Sequence, residues 1–293
     1  MKGKLFNNES GGFRAGLYYL IFIAAFIVFS VPLQAVSKAA FGEESAYKTA
    51  VNCLAAPLAL LFVVLAAKFL LADDVKVFLN GRFFSRTFTG LAFILTFGMF
   101  FGLGFINYAF VDLLSLIGIT VPEQSVIMNN AGQYLLCAFT LCVIPAIAEE
   151  LFFRGVLLSS LKNAGVISAS VVSALFFAFY HCSPAQFFYQ FVFGFFLALL
   201  AIKSNSVLPA VASHFLNNFA VLSCIFFKIS INLYYFPYIM LGIAFLFAFA
   251  FPVAVYKNEK REVKSGEIFS AFFPFGIIGI LFCAASITAL VLL

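Results

Sequence analysis

The chain has 293 residues, of which 64% are hydrophobic and only 10% charged, and its mean hydropathy is +1.10. A soluble domain carries about 25% charged residues, so the composition excludes a soluble enzyme and points to a polytopic membrane protein whose solvent is lipid. The net charge of +5 is no nucleic-acid signal, because no basic stripe with interleaved stacking aromatics occurs and most Lys and Arg lie between apolar segments.

The first 15 or so residues are polar and basic, with Lys2, Lys4 and Arg14. The apolar run after them is longer than the 7–15 residues of a signal-peptide core, so it reads as an uncleaved first span. Apolar windows then predict an all-α bundle of about 8–9 spans. The predicted spans are about 15–36, 49–72, 88–118, 133–160, 165–182, 185–203, 207–229, 232–256 and 268–292, with a tilt or break in the third at Gly102/Gly104. Lys and Arg concentrate in the loops that share a side with the N-terminus, namely Lys2, Lys4, Arg14, Lys76, Arg82, Arg86, Lys162, Lys203, Lys257, Lys260, Arg261 and Lys264. The other side holds Lys38, Lys48 and Lys228, so the expected orientation puts the N-terminus in the cytoplasm. Lys68 and Lys203 lie near helix ends and are expected to snorkel. Residues 1–293 thus read as one integral membrane domain. The six cysteines form no CxxC pair and read as small buried hydrophobes. Cys182, beside His181, is kept as a candidate ligand or nucleophile.

Polar groups inside such segments are costly, about 2.5–3.5 kcal/mol for an acidic or basic residue at a helix centre. Three segments carry them. In Glu149-Glu150-Leu151-Phe152-Phe153-Arg154, Glu150 and Arg154 are four apart and can pair on one helix face. Glu149 is rotated away into a poorly solvated place, a setting suited to proton transfer. Pro145 removes one helical hydrogen bond, and a kink there would admit water. In the second segment Phe177 and His181 share a face. In the third, His214 and Asn218 lie one turn apart and point the same way. Each group alone also fits a structural role, as an ion-pair cluster or an interhelical hydrogen bond. Together, a carboxylate, two histidines and an amide make a hydrolytic kit: the carboxylate takes a proton from water, and the others hold the water or the developing oxyanion. A serine nucleophile fits less well, since Ser183 and Ser213 lie outside any G-x-S-x-G turn, and no H-E-x-x-H occurs. Two histidines and a glutamate, His181, His214 and Glu149, could instead bind Zn2+ with an open position, and the sequence does not choose. Gln186 and Gln190 share a face that could line a substrate cleft, and Asn107 and Asp112 fall near an interface.

Three signatures, E-E-x-x-x-R at Glu149, Glu150 and Arg154, F-x-x-x-H at Phe177 and His181, and H-x-x-x-N at His214 and Asn218, occur in this order. In this the chain resembles the CAAX protease and bacteriocin-processing (CPBP, or Abi) family of intramembrane endopeptidases, which includes the type II CAAX prenyl endopeptidases. The resemblance covers about residues 133–228, the expected catalytic core, with 1–132 and 229–293 as accessory spans. It implies that Glu149 activates water, that His181 and His214 orient water and substrate, and that Asn218 helps hold the oxyanion. Glu150 with Arg154 would support them. Members are often called metalloproteases, while a glutamate-activated water needs no metal, so Zn2+ stays open. The implied partners are membrane lipids and a peptide or protein substrate, which could be lipidated. The expected location is a prokaryotic plasma membrane. Two other readings remain: a non-catalytic scaffold or bacteriocin-immunity protein, and a proton- or solute-coupled transporter, against which the missing internal repeat counts.

Overall fold

A computed structural model describes residues 10–41, 45–69, 85–119, 126–229, 236–255 and 266–292. The loop cations Lys2, Lys4, Lys76, Arg82, Lys257, Lys260, Arg261 and Lys264 lie outside the described residues. The described residues form helices and their connections only. In chain order these are α1 (Gly11–Ala40), α2 (Ala46–Asn52), α3 (Ala55–Phe69), α4 (Arg86–Leu116), α5 (Ala131–Ser160), α6 (Val166–Tyr180), α7 (Pro184–Ser204), α8 (Leu208–Phe226), α9 (Phe236–Val255), α10 (Glu267–Phe272) and α11 (Phe275–Leu292). Among the described residues six segments are long and apolar enough to cross a membrane, with α2 and α3 counted as one, and Val166–Tyr180, Ile239–Val253 and Phe275–Ser286 are shorter apolar helices. The polytopic helical bundle expected from composition is thus the fold, although the predicted fifth and ninth spans are shorter or divided.

Side-chain oxygens close several helix starts. Ser10 accepts from the Phe13 N–H, Ser85 from Phe88 and Asn130 from Gln133, each satisfying an amide that the helix leaves open. The expected break at Gly102/Gly104 is absent. Helix α4 runs through that region with a π-helical stretch over Gly98–Leu103. The glycine there serves packing: a Cβ on Gly242 of α9 would stand 2.2 Å from the Gly102 nitrogen, so the two backbones touch in the manner of small-residue membrane contacts.

Helix α5 lies among α3, α8 and α6 and contains two π-helical stretches, Ala138–Val143 and Leu151–Leu157. The first ends at Val143, two residues before Pro145, so the backbone widens next to the place where the sequence reading expected a kink. The second follows Glu150, at the place where such stretches gather in proteins with a function to position. Helix α6 is 15 residues long, ~22 Å at 1.5 Å per residue. It stops at His181 because Cys182 takes a left-handed conformation (φ 46°), Ser183 is extended and Pro184 opens α7.

Three helix ends meet on one side. A Cβ on Gly11 would stand 1.9 Å from the Ser160 carbonyl oxygen, and the Gly12 N–H donates to the Glu267 carboxylate at 2.7 Å. The start of α1, the end of α5 and the start of α10 therefore share a face, as the positive-inside orientation requires of them. The principal core joins α1, α3, α5 and α6 around Phe22, Phe152, Phe153, Phe176 and Phe177.

Candidate active site

Helix α5 brings Glu149, Glu150 and Arg154 to the bundle interior, where the three are respectively 5%, 0% and 0% exposed. Arg154 Nη1 donates to Glu150 Oε1 at 2.9 Å, the i,i+4 pair expected from the sequence. Its Nη2 donates to the Gly194 carbonyl of α7 at 3.1 Å. The guanidinium stands 4.3 Å from the centroid of the Phe177 ring, a cation–π contact in a dry interior. The packing around Gly194 is tight, since a Cβ would lie 3.0 Å from Phe177 Cδ1 and 3.3 Å from Arg154 Nη2.

Glu150 also accepts from the ring of His214, with Nδ1 2.8 Å from Oε1. A carboxylate only accepts, so Nδ1 carries a proton, and in the neutral ring Nε2 presents its lone pair. His214 is 2% exposed. Its neighbour Ser213 contacts Thr96 of α4, Oγ to Oγ1, at 3.0 Å, which fixes the rotation of α8. His181 is treated alike: its Nδ1 lies 2.8 Å from the Phe177 carbonyl oxygen, so Nδ1–H donates and Nε2 is left as an acceptor.

Glu149 is held differently. The Tyr180 hydroxyl donates to Oε1 at 3.1 Å. Oε2 is buried and accepts no hydrogen bond, and it lies 3.8 Å from His214 Nε2. Two acceptors thus face each other across a gap that one water, donating to both, can bridge. Phe177 is the hub of the arrangement, its ring centroid 4.7 Å from that of His181 and 5.8 Å from that of His214, both edge-on.

The structure gathers Glu149, Glu150, Arg154 and His214 by direct contact and brings His181 to the same ring. Asn218 stands further out and is reached through Asn217, whose Nδ2 lies 3.5 Å from Asn218 Oδ1. Asn217 is buried and accepts from the Tyr189 hydroxyl. The sequence reading missed Tyr180, Gly194, Tyr189 and Asn217. A phenol in an apolar run directly before His181 was the available signal for Tyr180.

Among the described residues no three His, Cys, Asp or Glu side chains gather as a metal-ligating group. As placed, Glu149, His181 and His214 do not gather as the three-ligand group that Zn2+ would need. Cys182 donates to the Phe179 carbonyl at 3.5 Å. Between α5 and α8, next to Glu149 and His214 in sequence, an apolar cavity of about 170 Å³ is lined by Val143, Ile147, Leu208, Val211, Ala212 and Phe215.

Residues 131–220 match the model of a protein family described as type II CAAX prenyl endopeptidase Rce1-like. That segment spans helices α5 to α8 down to Ala220 and includes all three signatures. No curated protein and no solved structure shows a significant match to the chain.

Proposed function

The chain belongs, through residues 131–220, to the Rce1-like family of type II CAAX prenyl endopeptidases, and from that premise we propose that it hydrolyses a peptide bond of a membrane-associated substrate with Glu149 as general base. The observation that carries this reading is the unpartnered, buried Oε2 of Glu149 facing His214 Nε2 at 3.8 Å. A water between them donates one O–H to each and turns its remaining lone pairs outward. Its oxygen bonds to the scissile carbonyl carbon while Glu149 Oε2 takes a proton. The developing oxyanion is met by the amide N–H₂ of Asn218. When the C–N bond breaks, the departing amine takes that proton back from Glu149. Glu150 holds the His214 tautomer and orientation, as carboxylates do behind working histidines, and Arg154 neutralises Glu150.

An apolar substrate group suits the cavity between α5 and α8, whose lining carries no charged side chain. A prenylated cysteine near a peptide C-terminus has that chemistry. We place the protein in a prokaryotic plasma membrane.

The test uses purified protein in proteoliposomes and an internally quenched peptide with an S-farnesyl cysteine fourth from its C-terminus. Glu149→Gln is expected to fall below detection while remaining folded and abundant. Wild-type turnover in the Glu149→Gln protein would remove Glu149 as the base, and an absence of turnover in both forms would favour the non-catalytic scaffold.

A further inference from the structure

The carboxyl group of Glu149 has two oxygens, and only one of them is free. Its Oε1 accepts from the Tyr180 hydroxyl at 3.1 Å, while Oε2 has no hydrogen bond. A freely rotating carboxyl group would present either oxygen to water. Here the hydroxyl pins one and turns the other toward His214 Nε2. The phenol is itself fixed on three sides: its ring meets Phe22 of α1 at 5.4 Å, Phe153 of α5 at 5.4 Å and His181 at 4.9 Å between centroids, each edge-on. Its helix then ends at the next residue, so Phe177, Tyr180 and His181 deliver three contacts to the site from one turn of α6.

We propose that Tyr180 is a positioning residue that selects Oε2 of Glu149 as the base by occupying Oε1. The assignment rests on the reading of Glu149 given above. It lies outside the three sequence signatures, because Tyr180 falls at an unspecified position of F-x-x-x-H. In this reading the hydroxyl donates to Glu149 Oε1 and works through that carboxyl group. It acts by removing the unproductive orientations of the carboxyl group, so the effect belongs to turnover and leaves substrate binding alone.

Tyr180→Phe keeps the ring and its aromatic neighbours and deletes only the donor. With the farnesylated quenched peptide, kcat is expected to fall about tenfold to hundredfold, equivalent to about 1.4–2.8 kcal/mol, with KM changed less than about twofold. Replacement of Tyr180 by 4-aminophenylalanine, which retains a donor at the same place, is expected to recover most of kcat. Thermal unfolding of each form in detergent runs alongside. An unchanged kcat in Tyr180→Phe overturns the proposal. So does a loss that comes with a raised KM or a lowered unfolding temperature and that 4-aminophenylalanine fails to rescue, because the hydroxyl is then structural. Glu149→Gln on the same peptide separates the two levels. If it cleaves, or if wild type does not, the general-base reading falls and the positioning role falls with it.

Discussion

Glu150 accepts from two cations or donors at the same oxygen, Arg154 Nη1 at 2.9 Å and His214 Nδ1 at 2.8 Å, and it does so with no exposure to solvent. Removing one member of such a buried pair leaves the other charge uncompensated, which costs about 3–5 kcal/mol, whereas removing both together is often tolerated. Arg154→Leu is therefore expected to lower the unfolding temperature strongly, and adding Glu150→Gln is expected to recover part of that loss. Thermal unfolding in detergent measures both. Activity is not expected to return with stability, because His214 then loses the carboxylate that sets its tautomer. At this scale the sequence was a good guide to which polar residues the fold brings together. The i,i+4 spacing gave the Glu150–Arg154 pair, and the cost of polar groups in apolar runs singled out both histidines. It could not give the partners, since Tyr180 to Glu149 and His214 to Glu150 cross between helices and carry no periodicity. Helical spacing also favoured Asn218 over Asn217, although positions three and four apart lie on the same side of a helix, and Asn217 is the more buried of the two.

Among the elements, the hairpin of α6 and α7 sets the geometry. Gly194 allows α7 to approach the Phe177 ring and to offer its carbonyl oxygen to Arg154. Gly194→Ala would push against Phe177 Cδ1 at 3.0 Å and Arg154 Nη2 at 3.3 Å. It is expected to destabilise the protein by about 1–3 kcal/mol and to reduce turnover by displacing the ring on which both histidines lean. Unfolding temperature and kcat on the farnesylated peptide check this. Most helices were legible from hydropathy windows alone. The lengths were not, because an apolar window continues through Tyr180, His181 and Cys182 while the backbone turns at the left-handed Cys182. The π-helical stretches of α5 are equally silent in composition. Pro145 announced a disturbance, and the structure resolves it as a widened turn over Ala138–Val143. Gly102 announced a break and supplies a helix contact instead.

For the molecule as a whole, the outer helices hold the site-bearing ones. Phe22 of α1 packs on Tyr180, Tyr19 stacks on Phe176 at 4.6 Å and its hydroxyl lies 3.4 Å from Cys283 Sγ of α11. The first turn of α1 is completed by residues from the other end of the chain: Glu267 accepts from the Gly12 N–H, and Ser10 Oγ donates to Ser270 Oγ at 2.7 Å. A carboxylate at a helix N-terminus satisfies an open amide and meets the positive end of the dipole. Glu267→Ala is expected to cost about 1–2 kcal/mol, seen as a lower unfolding temperature with KM for the peptide unchanged. Charge asymmetry in the sequence foretold that these ends lie on one side of the membrane. It did not foretell that they touch, since 255 positions separate Gly12 from Glu267.

That contact has a consequence for biosynthesis. Helix α1 is the first of the described helices to leave the ribosome, yet the carboxylate that closes its opening turn emerges 255 positions after the amide it meets. Through most of synthesis the Gly12 amide has only water or lipid headgroups to satisfy it, and the face of α1 that ends against α10 and α11 stays uncovered. The bundle therefore cannot close in the order in which it is made. Helix α1 waits in the bilayer for α10 to arrive, and a chain halted before Glu267 would carry every signature residue of the site and still lack the carboxylate that closes the first turn of α1.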